Sequence, residues 1–149
     1  MTISEKGLQM IARFEGLRLN AYLCPKKKWT IGYGNTFYED GRPVKSGDRL
    51  SGKDEAFRLL KVITKQFEDG VNKSTTGVKL TQNQFDSLVS FSYNVGNGAL
   101  AKSTMLKLIK KDSYDPKIRT EFMKWTSGNL PGLIIRREFE SDNYFKAET

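Results

Sequence analysis

Residues 14–34 read F-E-G-L-R-L-N-A-Y-L-C-P-K-K-K-W-T-I-G-Y-G, and this stretch decides the predicted fold. Glu15 ends a helical pattern, Cys24 follows nine positions later, and Thr30 comes six positions after that. Apolar residues alternate with Thr30 and its glycine neighbours in residues 29–33, which predicts a β-strand. The stretch therefore predicts a helix followed by a small sheet, with three chemically useful side chains close together in sequence.

The helix before this stretch carries Glu15 on its apolar face. Ser4 is suited to the N-cap and Gly16 to the position just past the helix end. Three apolar residues share the face of Glu15 at helical spacing; they are Leu8, Ile11 and Ala12. A partly desolvated carboxyl group at that position is a candidate proton donor. An exposed carboxylate at the helix end fits the same spacing.

The pattern E-x8-C-x5-T followed by I-G-Y-G resembles the catalytic signature of phage-type lysozymes, the endolysins of glycoside hydrolase family 24. Two further blocks are similar to the family, in family order. Residues 82–108 contain F-x-S-L-V-S-F-S-Y-N-V-G and K-S-T-M-L-K-L, and residues 125–140 read W-T-S-G-N-L-P-G-L-I-I-R-R-E-F-E. The resemblance spans nearly the whole chain.

The resemblance implies an α+β, mostly helical lysozyme-like fold with a small antiparallel β lobe and an interlobe cleft. We expect one domain over 1–149. Its small lobe would span about residues 16–50, and its helical lobe would comprise about 51–149 plus the first helix. The implied activity is that of a muramidase, with Glu15 as general acid and Thr30 holding the attacking water.

Cys24 departs from the family, which usually has Asp at this position and Cys as a variant. Because a free thiol is largely protonated at neutral pH, only a small fraction would be thiolate. Lys26, Lys27 and Lys28 could raise that fraction, although exposed charges act weakly through water. Cys24 could position water as a base, act as a polarisable electrostatic partner, or be an inert thiol. A nucleophilic thiolate is conceivable, but the resemblance favours inversion.

Further contacts with the glycan rest on the resemblance. Thr36, Tyr93, Ser103 and Arg119 occupy positions where family members touch the substrate, with surface solvation or packing as the alternative for each. Tyr93 could stack on a sugar, and Arg119 could meet a peptide-stem carboxylate. Two arginines and a carboxylate near the end of the chain could brace the last helix or bind anionic groups of the substrate; they are Arg136, Arg137 and Glu140.

Helix signals continue along the rest of the chain. Ser51 with Asp54 resembles a capping box, and Gly70 is predicted to end the helix that follows. Thr81 with Gln84 predicts the start of a very apolar, central helix. Later helices are predicted to begin at Ser103 or Thr104 and at Asp115-Pro116, and the last helix is predicted to run through about Tyr144.

Composition limits the other classes of function. The chain has 149 residues, one Cys, no His and a net charge of +8. A zinc site is not expected, no nucleotide-binding fingerprint is present, and we expect no cofactor. The basic residues are scattered rather than grouped on one helix, so we expect peptidoglycan and not nucleic acid as the partner. No apolar run approaches the ~20 residues of a membrane span, and we expect a monomer without stable membrane insertion.

The sequence therefore predicts a bacteriolytic hydrolase that cuts the β-1,4 bond between N-acetylmuramic acid and N-acetylglucosamine. We expect a phage or prophage endolysin. Because M-T-I-S-E-K lacks the features of a secretory signal, it would be held in the host cytoplasm before its release to the periplasm and cell wall. A non-catalytic peptidoglycan-binding protein on the same fold is the first alternative, and a basic nucleic-acid binder is the second.

Overall fold

The computed structural model describes residues 1–148 and is mostly helical, with a small two-stranded antiparallel sheet. This architecture confirms the predicted fold class. The elements in chain order are α1 (Glu5–Glu15), β1 (Arg18–Leu23), β2 (Trp29–Gly32), α2 (Lys53–Ser74), α3 (Gln82–Val95), α4 (Asn97–Lys102), α5 (Thr104–Lys111), α6 (Lys117–Phe122) and α7 (Pro131–Phe145). In the described residues, no helix is both long enough and apolar enough to cross a membrane.

The chain forms two compact units. The first is Leu8–Lys65, which contains most of α1, both strands and the first part of α2. The second combines Met1–Gly7 with the chain from Gln66 onward. Each unit has its own buried apolar residues. Those of the first include Ile11, Ile31 and Leu60, each 0% exposed.

Helix α1 begins and ends as its sequence predicts. The side-chain oxygen of Ser4 accepts a hydrogen bond of 3.1 Å from the backbone N–H of Gly7, which satisfies one donor of the first turn. Gly16 follows the helix with φ +75°, a conformation that costs little only without a side chain. Its N–H donates to the carbonyl oxygen of Ala12. These contacts fix the direction in which the chain leaves Glu15.

Strands β1 and β2 form a hairpin with a tight turn. Tyr22 pairs with Thr30, and Leu23 pairs with Trp29. The carbonyl oxygen of Cys24 accepts from the N–H of Lys27 at 2.8 Å, and Lys27 has φ +61°. A turn closed in this way, followed by a left-handed residue, is a common three-residue hairpin loop.

Helix α3 is the core of the second unit. Every residue from Asn83 to Ser92 is buried, so the helix is covered on all sides rather than along one stripe. It begins with the predicted capping box, in which Thr81 and Gln84 each accept the other's backbone N–H. An aromatic cluster packs beside it, with the ring of Phe91 5.6 Å from Phe122 and 5.5 Å from Trp125.

The prediction that Gly70 ends α2 is wrong, since the helix continues to Ser74. A Cβ atom at Gly70 would clash with the side-chain amide of Asn97. The amide of Asn97 donates to the carbonyl oxygen of Gln66 at 3.0 Å. Gly70 therefore serves the close approach of α4, a helix that the sequence did not predict.

Two other helix starts also differ from their predictions. At α2 the N–H of Ser51 donates to the carboxylate of Glu55 at 2.7 Å, and not to a group on Asp54. Helix α6 begins at Lys117, one residue past Pro116, and the carboxylate of Asp115 accepts from the N–H of Lys117 at 2.9 Å. The capping chemistry was correct at α6, but its position was shifted by one residue.

Candidate functional site

Glu15 is the last residue of α1 and is half-buried. It belongs to the first unit, as do Cys24 and Thr30. The helix carries it on the face that buries Leu8 and Ile11, as the spacing predicted. The chain leaves this carboxyl group through Gly16 and enters β1 two residues later.

Cys24 and Thr30 meet on the hairpin. Cys24 is half-buried at the end of β1, and Thr30 is 4% exposed on β2. The carbonyl oxygen of Lys28 accepts the N–H of Cys24 and the Thr30 hydroxyl, both at 3.0 Å. The Thr30 hydroxyl also lowers the pKa of the Cys24 thiol. Since a hydroxyl has one hydrogen, it can turn to the sulfur when the thiol is ionised.

Hydrogen-bond donors around the sulfur lower the pKa of Cys24. The largest effect comes from the backbone N–H of Lys28, and partial desolvation opposes it. The Thr30 hydroxyl and the N–H of Lys26 lower the pKa further. Each donor favours the thiolate because it points hydrogen at the charged sulfur. The sequence suggested the lysine ammonium groups as a weak cause of a lowered pKa, whereas the turn acts mainly through its peptide N–H groups.

Thr36 follows the hairpin in an irregular part of the first unit. Its side chain is half-buried, and its carbonyl oxygen accepts from the N–H of Val44 at 2.9 Å. The preceding Asn35 is 2% exposed. Its amide donates to the carbonyl oxygen of Leu59 on α2 at 3.1 Å. Asn35 therefore supports the segment that carries Thr36.

Tyr93 and Ser103 belong to the second unit. Tyr93 is half-buried near the end of α3, with its ring centroid 5.2 Å from that of Phe67. Ser103 is the N-cap of α5 and is 5% exposed. Its hydroxyl donates to the carbonyl oxygen of Leu100 at 2.7 Å and accepts from the N–H of Leu106 at 3.0 Å. Both residues have structural roles, and their contacts with a glycan stay predictions.

Arg119 is exposed on α6 and is already engaged. Its guanidinium lies 2.5 Å from the carboxylate of Asp142 and 3.2 Å from the hydroxyl of Ser141. It also lies 5.3 Å from the ring centroid of Phe145. A substrate carboxylate would have to share or replace the Asp142 contact.

The fold and these side chains can be compared with known proteins. A model of the phage lysozyme family matches residues 12–140, which include Glu15, Cys24 and Thr30. The chain belongs to the phage lysozyme family. This membership confirms the resemblance found in the sequence and the class of enzyme that it implies, a lysozyme-type glycoside hydrolase.

Individual members of the phage lysozyme family are similar over most of the chain. The endolysin of Acyrthosiphon pisum secondary endosymbiont phage 1 is 40% identical over 94% of this chain and 95% of its own length. The endolysin of Bacillus phage B103 is 39% identical over the whole chain. The chain spans only 56% of that relative and 54% of the Bacillus phage PZA endolysin.

Solved structures of similar proteins share the fold. The endolysin of Escherichia coli O157:H7 phage FAHEc1 superposes with a TM-score of 0.88 at 35% identity, over 98% of this chain and 94% of that one. The muramidase domain of SpmX from Asticaccaulis excentricus gives 0.87 at 33% identity, over 98% and 99% of the two chains. The chain therefore shares the fold of these relatives.

This phage lysozyme family member buries an ion-pair cluster that sequence reasoning left with two possible roles. Arg136, Arg137 and Glu140 on α7 are at most 4% exposed. Glu140 accepts from both arginines and, at 2.6 Å, from the hydroxyl of Ser90 on α3. Arg137 also donates to the carbonyl oxygen of Trp125 at 2.9 Å, and burial lowers its pKa. The cluster braces α7 against α3.

Proposed function

We propose that the protein is a phage or prophage endolysin and a muramidase, which hydrolyses the β-1,4 bond between N-acetylmuramic acid and N-acetylglucosamine in peptidoglycan. Family membership and endolysin relatives of nearly equal length support this proposal. The observation that carries the mechanism is that one hairpin holds Cys24 and Thr30 on the same Lys28 carbonyl oxygen, in the same unit as Glu15.

Glu15 is the proposed general acid. Glycoside hydrolysis needs a proton on the bridging oxygen as the bond from C1 to that oxygen breaks. The carboxyl group of Glu15 donates this proton, and the leaving sugar departs as an alcohol. Its half-buried position at the end of α1, in the same unit as Cys24 and Thr30, suits the role.

Cys24 and Thr30 are the proposed water-positioning pair. A water held by them attacks C1 from the face opposite the leaving oxygen, forms the new C1–O bond, and gives its proton to the Cys24 thiolate. This arrangement inverts the configuration at C1. The donors that lower the pKa of Cys24 enlarge the thiolate fraction available for the step.

The remaining contacts are proposed as substrate-binding. Thr36 would contact the glycan from the first unit, and Tyr93 and Ser103 from the second. Arg119 would meet a stem-peptide carboxylate by exchanging its exposed Asp142 partner, which costs little because such surface pairs contribute only about 0–1 kcal/mol.

The proposed biological setting follows from the endolysin relatives. The protein would act as a monomer without a cofactor or stable membrane insertion. It would be held in the host cytoplasm until a separate pore-forming protein gives it access to the periplasm and cell wall. A net charge of +8 favours its attraction to an anionic wall.

A turbidity assay on permeabilised Gram-negative cells tests the proposed function. Glu15→Gln keeps the shape of the side chain and removes its proton, so the rate of lysis should fall by roughly 10²–10⁴-fold. Glu5→Gln, on the exposed first turn of the same helix, is the matched control and should lyse normally. Normal lysis by a folded Glu15→Gln variant would contradict the proposal, and absence of lysis by the parent would favour the non-catalytic alternative.

A further inference from the structure

One concave site lies wholly within the second unit. It is a cavity of about 600 Å³ between the segment that connects α2 to α3 and the end of α5. Three apolar residues contribute to its lining and are half-buried or buried: Val78, Leu80 and Ile109. None of its lining residues is among those proposed for catalysis, and all of them belong to the unit that lacks Glu15, Cys24 and Thr30.

The rim of this cavity is cationic. Lys79, Lys110 and Lys111 are exposed and line it, whereas Glu148 is the carboxylate among the described lining residues. Three ammonium groups against one carboxylate create a local positive potential, which raises the concentration of anionic groups at the rim. The cavity therefore suits a ligand that combines apolar surface with carboxylates.

An aromatic side chain lines the cavity, on a loop whose backbone is anchored to the core. Tyr114 lines it and is 63% exposed. The carbonyl oxygen of the preceding Ser113 accepts from the amide of Gln84 at 3.2 Å and from the hydroxyl of Tyr144 at 2.8 Å. The N–H of Tyr114 donates to the carboxylate of Asp112 at 2.9 Å. The core thus anchors the backbone of the loop that carries this exposed aromatic ring.

We propose that this cavity is an accessory site for a peptidoglycan strand. The proposal rests on the proposed function, because both sites take the same polymer as ligand. A sugar ring would stack on the face of Tyr114, and stem-peptide carboxylates would meet Lys79, Lys110 and Lys111. Peptidoglycan supplies both groups at short spacing. Simultaneous engagement of two sites on one polymer raises retention on the wall without changing the chemistry of cleavage.

Nucleic acid is the rival polyanion, and the cavity suits it less well. A nucleic-acid surface needs basic residues along a groove or stripe that follows the phosphates. Here three lysines, three apolar residues and one exposed aromatic ring line the same concavity. This arrangement fits a glycan strand with peptide stems better than a continuous phosphate backbone.

Binding to purified, insoluble peptidoglycan tests the accessory site, with every variant made on the Glu15→Gln background so that the ligand stays intact. Tyr114→Ala should weaken binding roughly 3- to 10-fold, because an aromatic contact is lost, and Tyr114→Trp should retain it. Phe139→Ala removes a partly exposed aromatic of α7 outside the cavity and is the matched control. Lys110→Gln with Lys111→Gln should weaken binding and reduce its dependence on salt.

Further measurements distinguish failure of the accessory site from failure of the proposed function. With Glu15 intact, Tyr114→Ala should hydrolyse a short soluble glycan at the parent rate, since it leaves the catalytic residues untouched. Unchanged wall binding by Tyr114→Ala, with the parent still lytic, overturns the accessory site alone. A parent that neither binds nor cleaves peptidoglycan overturns both. Tyr114-dependent binding of a single-stranded oligonucleotide, without any effect on wall binding, assigns the cavity to nucleic acid and overturns the proposal.

Discussion

Cys24 and Thr30 share one acceptor across the β1–β2 hairpin, since the carbonyl oxygen of Lys28 accepts the backbone N–H of Cys24 and the Thr30 hydroxyl, both at 3.0 Å. Tyr22 pairs with Thr30, so Cys24, two residues beyond Tyr22, lies on the same face of the hairpin and diagonally across from Thr30. The N–H of Lys28 in the tight turn and the Thr30 hydroxyl both lower the pKa of the Cys24 thiol. The spacing of the two residues in sequence is therefore what hairpin geometry requires for their side chains to meet.

Removal of the Thr30 hydroxyl should make the thiol harder to ionise. Thr30→Val deletes a donor that lowers the pKa of Cys24, so the pH profile of iodoacetamide alkylation should move to higher pH. Thr30→Ser keeps the donor and should retain the parent profile. Alkylation followed by mass spectrometry across a pH series measures this directly. Coincident profiles for the parent and both variants would show that the Thr30 hydroxyl does not affect the ionisation of the Cys24 thiol.

The hydrolytic activity of Cys24 variants should follow the charge of the new side chain. Cys24→Ser should lower wall hydrolysis by roughly 10²-fold, because a hydroxyl barely ionises at neutral pH and cannot take the proton of the water. Cys24→Asp should restore or exceed the parent rate, since a carboxylate is charged there. Alkylation of the parent should abolish activity in step with modification, and bound oligosaccharide should slow both. Full activity in the alkylated protein would remove Cys24 from the mechanism.

Local rules predicted the elements that position Glu15, Cys24 and Thr30. Ser4 and Gly16 mark the limits of α1 by chemistry that acts within one helical turn, and both were predicted correctly. The alternation around Thr30 likewise predicted β2. Such signals are readable because each depends on neighbours only a few residues away in the chain.

The features that sequence reasoning missed depend on residues distant in the chain. Gly70 reads as a helix end because its real partner, Asn97, lies 27 positions later. The cause of the lowered pKa of Cys24 is a backbone N–H of Lys28, which composition cannot show. The arginines and Glu140 on α7 could be assigned to bracing only when Ser90 on α3 was seen to contact the carboxylate.

Loss of Glu140 should destabilise the second unit strongly. Glu140→Ala leaves two buried guanidinium groups without their carboxylate, which should lower the free energy of unfolding by about 3–5 kcal/mol. Asp142→Ala on the same helix removes an exposed partner of Arg119 and should cost about 0–1 kcal/mol. Urea denaturation of both variants provides the comparison. Equal costs would contradict the bracing role of the buried cluster.

Gly70 and Asn97 should be coupled energetically. Gly70→Ala places a Cβ atom against the Asn97 side chain, and such overpacking should cost about 1–3 kcal/mol despite the better helix propensity of Ala. In an Asn97→Ala background the clash is absent, so the same change should stabilise by roughly 0.5–1 kcal/mol. A double-mutant cycle of unfolding free energies checks the change of sign. Additive effects would show that the two residues do not constrain each other.

The muramidase assignment depends on which glycosidic bond the protein cuts. Purified peptidoglycan is digested, the new reducing ends are reduced with borohydride, and the resulting sugar alcohols are identified after acid hydrolysis. The proposed muramidase should generate muramitol, in amounts that rise with loss of turbidity and fall roughly 10²–10⁴-fold with Glu15→Gln. Glucosaminitol as the main product, or wall dissolution that releases amino groups without new reducing ends, would contradict the assignment.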